Sequence, residues 1–350
     1  MIQDMKVFYL FIFFCISVTG HSALSERIIQ GQQPNLSIDP KGVIRVAYGN
    51  GEKIYCLTST NNGISFSSAV LVAELPGMHL GHTRGPQIAS SRNFSFISAM
   101  DKGGNIHSYR LNHSKGGWTR VAEINDKKGA APEGLMAIVA DKEDYFYATW
   151  LDIREGGKNN IYFSSINGKS AKWKANSLVY KSPDKHVCEC CKPNIVLNGN
   201  KLVIGFRNWL MGSRDIYYSV SYDKGKSFSE AAKSGNGTWQ LNACPMDGGS
   251  LGFNSEGKVS AAWRRNGDVY YWSENQAELK LSTGRDVSMA QKKKEIYVAW
   301  QDKKILSAIN LNTKKITLLG SGVSPKIYIL DNGKAICFWE DDKVLKYKII

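Results

Sequence analysis

The stretch "HVCECCKPNIVL", residues 186–197, sets Cys188, Cys190 and Cys191 within four positions, directly ahead of a proline and an apolar run. Cys244 stands in "LNACPMDGGSL", again just before a proline. Thiols spaced this way can bridge to one another, exchange disulfides or hold a soft metal ion. Neighbours Cys190 and Cys191 make a poor bridge. Adjacent Cα atoms sit about 3.8 Å apart, and disulfides span roughly 4.4–6.8 Å. The expected staple joins Cys244 to Cys190 or Cys191, leaving Cys188 to pair with the remaining one. The rival expectation is zinc or copper held by Cys188, Cys190, Cys191 and Cys244, although the spacing matches no known zinc motif.

A second set of side chains is charged. Arg84 lies in "HTRGPQIA", Glu133 in "APEGLMAI" and Arg285 in "TGRDVSMA". Asp101, Asp152 with Arg154, Arg207, Arg214 with Asp215, and Arg264 with Arg265 follow other apolar segments. An arginine fork binds a carboxylate through two parallel hydrogen bonds, so arginines and carboxylates gathered at one place suit a polar, anionic ligand. Several of these Arg and Asp residues serve equally well as structural salt bridges. His79 and His82 lie near Arg84 without metal-ligand spacing.

These residues form a site only if the fold gathers them. The chain opens with "MIQDMKVFYLFIFFCISVTGHSALS". One lysine, a short apolar run and small residues have the build of a secretory signal peptide, read here as residues 1–23. Export to a secreted or periplasmic location favours disulfides over a metal. No stable membrane span is expected after cleavage. The formal charge is +14, but the basic residues are scattered, with no nucleic-acid motif. That balance favours anionic ligands, and nucleic acid is not an expected partner.

Residues 24–350 read as one all-β domain. A unit of short strands recurs about seven times at roughly 50-residue spacing, the signature of a β-propeller. Its second strands align as "GVIRVAYGN", "FSFISAMDK", "DYFYATWLD", "KLVIGFRNW", "GKVSAAWRR", "KEIYVAWQD" and "GKAICFWED". The last unit lacks a strand, and the segment "SERIIQGQ" is expected to close it. First strands of a propeller line its channel. Aligned on their prolines, they set Gln32, Arg84, Glu133, Cys191, Ala243, Arg285 and Val323 as a ring at one mouth. Cys56 and Cys337, on strands of the first and last units, read as buried thiols or a closure bridge.

"STNNGISF" (59–66) and "SYDKGKSF" (221–228) share a Ser-x-Asx-x-Gly-x-x-Phe pattern. It resembles the Asp-box, or BNR repeat, of the sialidase superfamily, which marks a hairpin and carries no chemistry. "HTRGPQIA" is similar to that superfamily's Arg-Ile-Pro element, with Gly85 in place of the Ile. The resemblance implies seven blades, or six in the sialidase manner. It also implies exo-α-sialidase-like hydrolysis of an acidic sugar. Arg84, Arg207 or Arg214, Arg264 or Arg265, and Arg285 would then hold the substrate carboxylate. Asp101 would be the acid and base, and Glu133 would activate a tyrosine nucleophile. Such enzymes depart in this way from two-carboxylate glycosidases. The tyrosine has no clear position: Tyr217, Tyr218, Tyr270 and Tyr271 lie on third strands. The alternative is a non-catalytic propeller that binds a glycan or protein, or a cysteine-ligated metal protein. Either way a monomer is expected.

Overall fold

The computed structural model describes residues 29–350; the signal peptide expected over residues 1–23 lies outside them. The chain is all-β, with seven four-stranded antiparallel sheets arranged as the blades of a propeller. Blades 1 to 6 occupy residues 32–74, 87–121, 136–180, 194–233, 250–283 and 285–321 in order. Blade 7 takes its three inner strands from residues 323–349 and its outer strand from Ile29–Gln30. Ile29 pairs with Leu345 and Gln30 with Val344, so the first and last described strands close the ring, as the missing strand required.

Apolar residues alternate along these strands and meet between blades, so each core cluster straddles a seam. Phe96 of blade 2 packs on Phe146 of blade 3 at 4.4 Å between ring centres. Tyr48, Leu57, Phe338 and Leu345 join blades 1 and 7. Burying aromatic rings of this size supplies much of the cohesion between blades.

Antiparallel pairing fixes which loops share a face. Loops after first and third strands lie on one face. Loops before first strands and after second strands lie on the other, where the channel mouth holds the charged residues and the cysteines. On the first face, the Asn61 and Asp223 turns are built alike. Gly63 N–H donates to Ser59 Oγ at 3.0 Å and Ser65 N–H to Asn61 Oδ1 at 3.1 Å. Gly225 N–H donates to Ser221 Oγ at 2.7 Å and Ser227 N–H to Asp223 Oδ1 at 3.0 Å. The aromatic that ends each turn reaches the preceding blade. Phe66 stands edge-on to Phe338 at 5.5 Å, and Phe228 edge-on to Phe163 at 5.3 Å. Gly225 has φ +85 and lies against the Phe163 ring, so both its conformation and its surroundings demand glycine.

Candidate functional site

At the mouth, three inner strands begin with a bulge. Gln33, Asp286 and Ser324 adopt positive φ, and the pairing register shifts beside each. A bulge re-aims side chains and is common near functional sites. Each bulged backbone N–H is capped by a side chain from another segment. Gln33 donates to Glu340 Oε2 at 3.2 Å, Asp286 to Asp247 Oδ2 at 2.9 Å and Ser324 to Gln301 Oε1 at 3.4 Å.

The segment 75–86, between blades 1 and 2, reaches across this mouth. His82 Nε2 lies 2.9 Å from Asp286 Oδ1 and 3.3 Å from Arg285 Nη2, both on blade 6. Arg84 Nε donates to the Glu133 carbonyl at 2.6 Å, and its Nη2 lies 3.5 Å from the Glu133 carboxylate. Arg84, Glu133 and Arg285 therefore share one rim, linked through His82. Gln32 donates to Glu340 at 3.0 Å, and Ala243 is exposed. Burial would raise the Asp286 carboxyl, but His82, Arg285 and Lys326 together hold it below the usual Asp range.

The other arginines are engaged elsewhere. Arg207, 1 % exposed, donates to the carbonyls of Asp247 (2.8 Å), Arg214 (2.6 Å) and Arg264 (3.1 Å). It holds the segment before blade 5 in place. Arg265 pairs with Glu278 at 2.9 Å over the Tyr270 ring. Arg154 bridges Asp152 and Asp126 at 2.9 and 2.7 Å. Asp101 bonds His107 Nε2 at 2.7 Å and Asn105 N–H at 3.0 Å. Burial raises the Asp101 carboxyl, yet these bonds hold it below its usual value. A general acid needs the reverse. Tyr218 donates to Glu274 at 3.0 Å, and Tyr271 is buried between blades. None of the four tyrosines considered from sequence bonds Glu133.

Below the rim, a channel of about 450 Å³ carries residues that the sequence did not single out. Lys192 and Lys326 line it with Thr83, Gln87, Asp247, Asp286 and Ser324. Lys192 Nζ donates to Gln87 Oε1 at 2.6 Å. Burial, with Lys326 nearby, brings its ammonium down to about 7. Burial likewise lowers Lys326, against the pull of Asp286 and Asp247. Thr83 Oγ1 and Ser324 Oγ are buried without a hydrogen-bond partner. Thr83 also has φ +59, a strained conformation for a β-branched residue. Single lysines read as solvated surface. Their place beside the aligned prolines, Lys192 before Pro193 and Lys326 after Pro325, was the available signal.

Cys190 is bonded to Cys244, with Cα atoms 6.3 Å apart, tying the entries to blades 4 and 5. The expected second bridge does not form: Cys188 and Cys191 are free and buried, with sulfurs 3.2 Å apart. Arg214 Nη1 donates to Cys188 Sγ at 3.0 Å, while its guanidinium stacks on Trp209. The hydrogen bond with Cys191, helped by Arg207 and Arg214 against burial, holds the Cys188 thiol well below its usual value. Burial, and then Cys188 itself, push Cys191 up. The two neighbouring thiols are thus pushed in opposite directions. Cys56 and Cys337 are buried free thiols with no closure bridge, each pushed up to about 12 by burial.

No protein-family model matches the sequence, and no curated protein matches it. Solved structures match at the level of fold. A lectin, BP39L from Burkholderia pseudomallei, superposes with TM-score 0.65 at 10 % identity, over 92 % of this chain and 96 % of that one. A polysaccharide lyase, an ulvan lyase bound to -[GlcA(1-4)Rha3S]-, gives 0.58 at 10 % identity, over 93 % and 96 %. A leech intramolecular trans-sialidase gives 0.48 at 12 % identity, over 95 % and 71 %, which is too loose to argue from. The class that fold and strand order define is the seven-bladed β-propeller.

Proposed function

We propose that this is an exported propeller that engages an acidic glycan at the channel mouth. Arg84, Glu133, His82 and Arg285 form the rim of the site, and Lys192 and Lys326 lie beneath it. The observation that carries this reading is the set of polar groups left without partners. Thr83 Oγ1 and Ser324 Oγ are buried and unbonded, in a channel that also holds two lysine ammonium groups. Buried polar atoms are normally satisfied, so an orphaned set around a cavity suits a hydroxyl- and carboxylate-bearing ligand. The lectin and the lyase illustrate that propellers can present saccharide sites. The assignment to this chain rests on its mouth.

A second reading, sialidase-like hydrolysis at the same mouth, is favoured by one observation: the Glu133 carboxylate is 33 % exposed beside Arg84. One experiment separates the two. Sialylated and uronate-containing oligosaccharides are titrated calorimetrically into wild-type protein and Arg285→Ala. Fluorogenic sialosides and uronides are then incubated from about pH 4 to 8, the range in which carboxylate acids and bases operate. Binding weakened in Arg285→Ala without turnover supports the binding propeller. Turnover abolished by Glu133→Gln supports the hydrolase. Neither binding nor turnover of any acidic glycan sinks both.

A further inference from the structure

The sulfur cluster takes no part in the glycan reading, and its own geometry points to a different ligand. Three cysteine sulfurs, of Cys188, Cys190 and Cys191, lie within 4.8 Å of one another, all buried. Cys190 is already bonded to Cys244, so two thiols remain, 3.2 Å apart. Met246 packs against the same three cysteines, from a backbone position of positive φ. Two thiols and a disulfide sulfur therefore meet here, with a methionine side chain packed on them.

We propose that Cys188 and Cys191, joined by the thioether of Met246, form a binding site for copper(I). Thiolate and thioether sulfurs are soft donors and select a soft monovalent ion. Two thiolates and a thioether fall short of the four tetrahedral ligands of a structural zinc site. Charge points the same way. Copper(I) with two thiolates carries one net negative charge, which a buried site must offset. Arg214 donates to Cys188 Sγ at 3.0 Å, and Arg207 lies buried beside the cluster. A guanidinium on the donor atom suits an anionic complex and disfavours a dication. The Cys190–Cys244 bridge keeps its bond and serves as the wall that fixes Cys191.

The test is an anaerobic competition in which the mature protein withdraws copper(I) from its coloured bicinchoninate complex. Ultraviolet copper–thiolate absorption provides a second readout. The expected result is one equivalent bound. Cys188→Ser and Cys191→Ser should each weaken binding by more than about a hundredfold, beyond the ten- to hundredfold typical of outer-shell changes. Met246→Leu, which keeps the packing volume, should weaken it by about tenfold. Near-ultraviolet circular dichroism of each variant confirms that the propeller is intact. Four outcomes overturn the proposal. The first is that the protein withdraws no copper, and the second that Met246→Leu and the folded cysteine variants bind as wild type does. The third is that zinc competes on equal terms. The fourth is that peptide mapping finds Cys188 and Cys191 bonded to each other in native protein that refuses copper after mild reduction.

Discussion

At the Asn61 and Asp223 turns, side chains bond backbone groups four residues away. At the opposite face, His82 reaches Asp286, Cys190 reaches Cys244, and Arg207 gathers the carbonyls of three separate segments. The turns are local, repeated and rigid by their own chemistry. The mouth is assembled from blades far apart in sequence, each contributing one or two side chains. A local turn costs little chain entropy to close, whereas a long-range contact must offset the ordering of everything between its ends. The mouth accordingly holds the covalent tie.

Four perturbations sharpen this contrast. The largest effect should come from Cys244→Ala. The bridge closes a loop of 54 residues, and removing it should cost about 4 kcal/mol of stability in urea unfolding. An unchanged midpoint would mean that the mouth does not depend on its covalent tie. Next is Gly225→Val, which forces a branched side chain into positive φ and onto Phe163. About 3 kcal/mol should be lost, and a loss well below about 1 kcal/mol would show that the turn is not what seats Phe228.

The third perturbation is pH. Lys192 titrates near 7 in the folded chain and near 10.4 when unfolded. A lowered lysine value means that the charged form is disfavoured by folding. Its penalty is greatest below pH 7 and fades as pH rises toward about 10. Binding of an anionic ligand follows the opposite course, because it needs the ammonium. Affinity for an acidic oligosaccharide should fall by about tenfold from pH 6 to pH 8 in wild type and stay level in Lys192→Met. A flat wild-type profile would remove Lys192 from the site. The smallest effect should be that of Asn61→Ala, about 1 kcal/mol by analogy with a lost capping bond. It should leave glycan affinity unchanged, and a change in affinity would contradict the separation of the two faces.

The same contrast explains what the sequence disclosed. Seven copies of a strand pattern revealed the propeller, and the short last unit called for a closing strand, supplied by Ile29–Gln30. The proline alignment brought Cys244 to Cys190, and Arg84 to the rim with Glu133. At blade 6 a bulge follows the aligned position, so Arg285 keeps its place on the rim while Asp286 turns to the other face and is buried at the channel. Lys192 and Lys326, both half-buried, were overlooked because single lysines usually lie on a solvated surface. Arg207 was read as a ligand for substrate carboxylate, yet it is spent on three backbone carbonyls. No residue spacing announces such a role.

The seam at Ile29–Gln30 also bears on how the molecule comes into being. The first described strand finds its partner, Val344–Ile349, only across the other six blades of the ring. Six sheets can assemble from local contacts, but the circle stays open until these two distant segments meet. Long-range pairing of this kind folds slowly and leaves intermediates with unsatisfied edges. A chain that lost the Ile29–Gln30 strand would keep the outer edge of blade 7 open for good.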